Sequence, residues 1–507
     1  MSDFISVFQN RQDMLLETIW EHLQISLISL IIAILIAVPL GLVLTRYPRV
    51  AEPIIGISAV MQTIPSLAVL AFLIPIFGIG TTPAIIALTA YGLLPILRNA
   101  YTGIKEVNPA LKEAAVGMGM NSMKRLTKVE LPIAMPVIMA GIRTSMVLIV
   151  GTTTIAALIG AGGLGKLILL GLDRGADVNL ILLGAIPAAL LAILLDFILR
   201  GFERVSKKAG FKSFIAMIVI AILVVTTPLL INTSQKADII IGGKLGAEPA
   251  IIINMYEQLI EDQTDLNVEL EEGLGKTSFL FNALEQDSID MFLEFTGTAL
   301  VTYLDEDAKS NQANEVYEQA RDGMMEEYDM TFLEPMEFNN TYTVSTTKKL
   351  AEQYDLKEIG DLKEIEDDIT AGFTLEFNDR YDGYVGMQDV YNLDLDVKTM
   401  EPGIREKALT KGEVDIIDAY ATDSYMVELD LVTLDDPENL FPPYQGAPLL
   451  KAETLEKYPE IEDVLNQLGG QITDEEMRQM NYKVDYEDKS PHDVAKSFLI
   501  EKGLLER

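Results

Sequence analysis

The chain contains no cysteine and only two histidines, His22 and His492, in 507 residues. Without thiols it can form neither disulfides nor thiolate metal sites. Two histidines also rule out a histidine-rich metal site and leave a Ser-His or Cys-His catalytic set without its base, so an enzyme is not expected. Positive charge is scarce as well, with 39 Lys+Arg against 75 Asp+Glu. The shortage is uneven: residues 1–232 hold 17 basic and 12 acidic side chains, net +5, which leaves 22 and 63, net −41, for residues 233–507. Two solvents shaped the two halves, and the length suits about two to four units.

The first half is short of polar stretches. Apolar runs near 23–45, 54–79, 82–98, 134–157, 179–199 and 213–231 approach the roughly 20 residues that cross a hydrocarbon core as a helix. The third run is short and contains proline, so five spans is the alternative to six. The first run lacks a small-residue cleavage site followed by a soluble domain, which argues against a cleaved signal peptide. Thirteen Lys and Arg fall in the loops on one side, among them Arg46, Arg49, Lys124, Arg125 and Arg200, and three on the other, Arg11, Lys166 and Arg174. The basic side is expected in the cytoplasm, with the N-terminus and residues 237–507 outside. Arg143 and Asp196 lie near the cytoplasmic ends of their spans, where snorkelling or contact with a partner would relieve their charge.

After a short linker, 233–236, "ADIIIGGK" reads as a strand. Downstream, strand-like "YTVSTT", "DITAGFTLEF" and "VDIIDAY" alternate with helix-like "AIIINMYEQLIED", "KTSFLFNALEQ" and "ANEVYEQARDGMMEEY". The alternation predicts an α/β fold, and its size suits two lobes with a ligand cleft between them. An acidic outer domain on a tether, without disulfides, fits a bacterial surface lacking a periplasm.

Two glycine-rich stretches imitate nucleotide sites. "ALIGAGGLGKLI" (157–168) lies outside between spans, where its glycines suit close helix approach or a broken, re-entrant backbone. "GLGKTS" (273–278) has Leu270 where a phosphate loop needs its first glycine. Elsewhere in the acidic half, aromatic residues sit beside turn-forming polar ones: Phe295 in "EFTGT", Tyr342 in "FNNTYTV", Tyr420 in "DAYATD" and Tyr444 in "FPPYQGAP". Each alone is better read as core, but together they fit a cleft. Rings converging without histidine or thiol suit a cation that lacks N–H donors, such as a quaternary ammonium. Arg380 in "NDRYDG" offers a carboxylate a two-pronged partner, or else pairs with Asp379 or Asp382.

The stretch 112–136, "KEAAVGMGMNSMKRLTKVELPIAMP", carries Glu113-Ala114-Ala115, Gly119 and Leu131-Pro132 at the spacing of the EAA loop of ABC-importer permeases. Its alternative is an amphipathic surface helix. Taken with "GGKLGAEP", "GKTSFL", "EFTGT", "GFTLEFNDRYDG", "DAYATD" and "LFPPYQGAPL", nearly the whole chain resembles osmoprotectant-type ABC importer subunits that fuse permease and binding domain, nearest to the ergothioneine-uptake branch of Gram-positive bacteria.

This resemblance implies an all-α polytopic membrane domain of the type I permease class over 1–232, followed by a two-lobed α/β type II substrate-binding domain over 237–507. It also implies a cage of Phe295, Tyr342, Tyr420 and Tyr444, with Arg380 and Lys244 or Thr298 holding a carboxylate. Glu248, Glu376, Asp423 and Gln445 would accept from the N–H groups of a heteroaromatic end. Implied partners are a second copy of the chain, the bilayer, a betaine ligand and a cytoplasmic ATPase that itself uses ATP and Mg; no cofactor in this chain and no nucleic acid are expected. The alternatives are uptake of glycine betaine, carnitine or choline, and a bile-excluding resistance transporter.

Overall fold

The computed structural model describes residues 4, 7, 8, 11–173, 177–209, 219, 221–223, 237–275 and 277–505. The chain forms two compact units, Arg11–Leu169 with Leu182–Ser234, and one containing Gln235–Arg507.

The first unit is helical: α1 Gln12–Leu44, α2 Pro48–Thr63, α3 Ser66–Phe77, α4 Thr81–Lys105, α5 Pro109–Gly117, α6 Leu131–Ala156, α7 Gly165–Asp173 and α8 Val178–Ala209. Among the described residues, four helical stretches are long and apolar enough to cross a membrane: Met14–Leu44, Thr81–Lys105, Ser122–Ile159 and Val178–Arg204. The run expected as one span at 54–79 is instead α2 and α3, bent by 98°. Ile64 before Pro65 takes an extended ψ of 131°, because the proline ring disfavours helix at the preceding residue. Of the expected span at 213–231 only 219 and 221–223 are described, and the linker 233–236 lies outside the described residues.

The glycine-rich stretch breaks the backbone, as its composition suggested. Gly162 and Gly163 take φ of +77° and +81°, a region side chains disfavour, and α7 restarts the helix at Gly165. Glu21 Oε2 accepts the Gly163 N–H at 2.6 Å, and His22 Nδ1 accepts that of Leu164 at 3.3 Å. His22 therefore carries its proton on Nε2, which donates to the Val150 carbonyl at 3.0 Å. Arg143 is paired within the chain: Nε donates to Asp196 at 2.8 Å and Nη1 to Glu203 at 3.2 Å. In the EAA segment, Asn108 caps α5 by accepting from the Ala110 N–H at 2.9 Å, and Gly119 turns the chain at φ +75°. Ala115 and Leu131 are buried, while Glu113, Ala114, Val116 and Met118 face outward.

The second unit holds two five-stranded sheets of one design. Strands β1 Ile239–Gly242, β2 Val268–Glu271 and β3 Met291–Phe295 run parallel, and β10 Gly446–Lys451 and β4 Met330–Phe332 complete the order β2-β1-β3-β10-β4. In the other lobe, β6 Thr370–Phe373, β7 Asp396–Thr399 and β8 Ile416–Tyr420 are parallel, and β5 Tyr342–Thr347 and β9 Leu431–Leu434 complete β7-β6-β8-β5-β9. Both β10 and β5 run antiparallel to their inner neighbours.

The chain crosses between lobes twice, after β4 and after β9, and Asn339 and Gln445 bridge the two crossings. Helix α9 (Ala247–Gln263) covers the first sheet, burying Ile251, Ile252, Met255, Leu259 and Ile260. Each such side chain contributes about 1.5–3 kcal/mol by leaving water. The stretch "DITAGFTLEF" is strand only to Phe373; Thr374 then caps α10 (Leu375–Asp379), its hydroxyl accepting from the Phe377 N–H at 3.2 Å.

Candidate functional site

The carboxyl ends of the parallel strands in both lobes open on one cleft of ≈ 990 Å³, within the size range of small-molecule sites. β3 ends on Phe295, β8 ends on Tyr420, and β1 leads into Lys244 and α9, which carries Glu248 in its first turn. Tyr444 enters from the second crossing. Ten of the eleven sequence-predicted ligand residues line this cleft. Gln445 does not: its Nε2 donates away to the Met336 carbonyl at 3.1 Å, because residues alternate sides along the extended segment and Tyr444 takes the cleft side.

Three rings form a connected wall. Tyr342 lies 5.0 Å from Tyr420 and 6.0 Å from Tyr444, centroid to centroid. Burial raises the pKa of all three phenols, so they stay neutral. Phe295 stands apart and is only 9% exposed, less open than its polar neighbours suggested. Lys244 Nζ sits 5.3 Å from its ring centroid and donates to the buried Glu294 at 2.5 Å. The ammonium expected to serve a ligand carboxylate is thus engaged within the protein.

Arg380 is engaged too. Its Nε and Nη2 grip Asp382 at 2.7 Å each, Nη2 also donates to the Tyr444 hydroxyl at 2.8 Å, and Nη1 reaches Glu376 at 3.2 Å. Asp382 also accepts from the Tyr444 hydroxyl, so the arginine and the ring are fixed together. Glu376 is 58% exposed, the loosest partner in this set. Thr298 contributes a hydroxyl at the cleft wall.

Two carboxyls lie deeper. Glu248 accepts from Asn340 Nδ2 at 2.7 Å and Asn481 Nδ2 at 3.3 Å. Burial, with a smaller push from the like charge of Asp423, raises its pKa to about 7. Asp423 accepts from the Tyr420 N–H at 2.8 Å and the Tyr425 hydroxyl at 2.6 Å; burial raises its pKa, and the Arg405 charge opposes this. Sequence reasoning missed Asn340, Asn481, Thr422, Tyr425 and Arg405, all at the cleft. Asn340 sits in a stretch singled out for Tyr342 but reads as a turn residue. Arg405 in "GIREK" and Asn481 in "MNYK" carry no local signal, since folding alone brings them there.

Two family models cover this chain. Residues 29–230 match the binding-protein-dependent transport system inner membrane component, and residues 237–501 match the substrate binding domain of ABC-type glycine betaine transport systems. The chain belongs to the family of ABC transporter subunits that fuse such a permease to such a binding domain, and it is a multi-pass membrane protein. It is 30% identical to the ergothioneine transport permease/ergothioneine binding protein of Helicobacter pylori, an alignment spanning 88% of this chain and 82% of that one. The permease half alone is 49% identical to the choline transport system permease protein of Bacillus subtilis, over 41% of this chain and 96% of that one. A crystal structure of a glycine betaine/carnitine/choline ABC transporter is similar at 30% identity and TM-score 0.49, over 53% of this chain and all of that chain.

Proposed function

We propose that this chain is the receptor and permease of an ATP-driven importer for a betaine that also bears N–H donors, with ergothioneine as its ligand. The observation that carries this reading is the cleft itself: three tyrosine rings and Arg380 on one side, and the buried Glu248 carboxyl in the other lobe. A trimethylammonium group offers no N–H and is held by ring faces, at about 0.5–2 kcal/mol per ring. The ligand carboxylate displaces the exposed Glu376 from Arg380, while Thr298 adds a hydroxyl. Glu248 and Asp423 accept from ring N–H groups, which a simple betaine lacks. The relative matching both halves is named for ergothioneine.

Uptake of choline, carnitine or glycine betaine is the second reading, favoured by the choline permease relative, whose similarity concerns the membrane half. Calorimetry on the full chain in nanodiscs decides between them. Tight binding of ergothioneine supports the first reading. Binding of glycine betaine or carnitine with no heat from ergothioneine overturns it.

In this mechanism the two lobes close on the solute outside the cell and deliver it to a pathway between two copies of the permease. Closure is driven only by contacts made in the closed state. A separate cytoplasmic ATPase subunit, which holds ATP and Mg, grips the segment around Glu113, Ala114, Ala115, Gly119, Leu131 and Pro132. The exposed Val116, Met118 and Met123 offer it apolar contact.

A further inference from the structure

Glu248 is an unusual acid for its position. It is 6% exposed, and among the described residues no Lys, Arg or His forms an ion pair with it. Neutral donors surround it: Asn340 from the first crossing, Asn481 from α11 (Asp474–Asp485), and Thr422 from the loop after β8. Asn481 Nδ2 also donates to the Thr422 carbonyl at 2.9 Å, tying α11 to the second lobe.

Both amide nitrogens point at the carboxyl. Turning either amide over would set oxygen against oxygen, so the carboxyl fixes their orientation. The cradle thus presents two amide donors to the carboxyl, one from the first crossing and one from α11.

We infer that Asn481, with Asn340 and Thr422, is a positioning residue holding the Glu248 carboxylate as acceptor for a ligand N–H, so that N–H-bearing betaines compete with a proton on Glu248. This deepens the proposed function and rests on it. A carboxylate accepts at both oxygens, whereas its protonated form gives up acceptor capacity and turns a donor on the ligand. The charged group acting on Glu248 is Asp423, whose like charge favours the protonated form. Arg405 and the Tyr425 hydroxyl in turn act on Asp423. The raised pKa of Glu248 puts the competition near neutral pH.

The test is calorimetry on the full chain in nanodiscs at pH 6 and pH 8, with ergothioneine, which has two ring N–H groups, and glycine betaine, which has none. Ergothioneine is expected to bind about tenfold more weakly at pH 6, and glycine betaine to change less than about twofold. Asn481→Leu should lower the ergothioneine-to-glycine-betaine affinity ratio about tenfold and flatten the pH profile. If that variant does not fold, Glu248→Gln serves instead: loss of the pH dependence supports the inference and its retention overturns it. Tight ergothioneine binding that ignores pH in the unmodified chain overturns this inference and leaves the proposed function standing. Failure of ergothioneine to bind at either pH overturns both.

Discussion

The two lobes of the binding unit share a strand plan but not a chemistry. In each, the third parallel strand carries a buried acid before a ring: Glu294 before Phe295 in β3, and Asp418 two residues before Tyr420 in β8. Each acid is neutralised from a neighbouring segment, Glu294 by Lys244 and Asp418 by Arg405. The first lobe then offers the separate ring of Phe295 and the Glu248 carboxyl, held by neutral donors, while the second lobe and the crossing offer the connected tyrosine wall and Arg380. One architecture thus holds unlike ends of a ligand, because the strand ends are fixed by the sheet and the residues that follow them are free to differ.

The strongest way to break this comparison is to remove one cation from each lobe. Arg405 and Asp418 are 2% and 1% exposed, so Arg405→Met leaves a charge buried and should destabilise the unit by about 3–5 kcal/mol in urea unfolding. Lys244→Met should cost less, about 1–3 kcal/mol, since the Lys244 side chain is 10% exposed against 2% for Arg405, so less of the charge pair is shut away from water. Equal losses would show that the pairs are equivalent after all.

Glu248 sharpens the contrast through pH. Its folded pKa near 7 lies above the ordinary 4.5, so the folded state binds more protons than the unfolded one between those values. The contribution of Glu248 to stability should therefore fall as pH rises from about 4.5 through 7, by on the order of 2–3 kcal/mol, and Glu248→Gln should shift the pH slope of chemical unfolding by that amount relative to the unmodified chain.

The rings should separate in ligand affinity. Tyr420→Ala is expected to weaken ergothioneine binding by roughly 2–30-fold, the value of about one ring. Phe295→Ala should weaken it comparably, and Phe295→Tyr should be mild. Equal losses from both Phe295 changes would place that ring in the core, and unchanged affinity in Tyr420→Ala would refute the cage. Gly119→Val leaves binding alone but strains a φ of +75°, at about 1–3 kcal/mol locally. It should abolish ATP-driven uptake in reconstituted vesicles while calorimetry remains normal.

Much of this was legible in the chain itself. Strands such as 342–347 and 416–420, the helix over 247–263 and the glycine turn at 119 follow from period, β-branching and turn chemistry, which act between near neighbours. The bend at Pro65 was not read, because hydropathy runs the span straight through it and only the backbone restriction at Ile64 marks the break. Ion-pair partners were not, because Lys244 and Glu294 are 50 residues apart and Arg143 and Asp196 are 53 apart.

The sequence by itself determined two halves made for two solvents, four of the membrane spans, the α/β alternation and most of the cleft residues, since composition and periodicity are local. Only the tertiary structure decided that Lys244 and Arg380 are already engaged, that Gln445 turns away, and that Asn340 and Asn481 converge on Glu248. Those facts depend on which segments the sheets and crossings bring together, and on burial, which sets how strongly a carboxyl holds its proton.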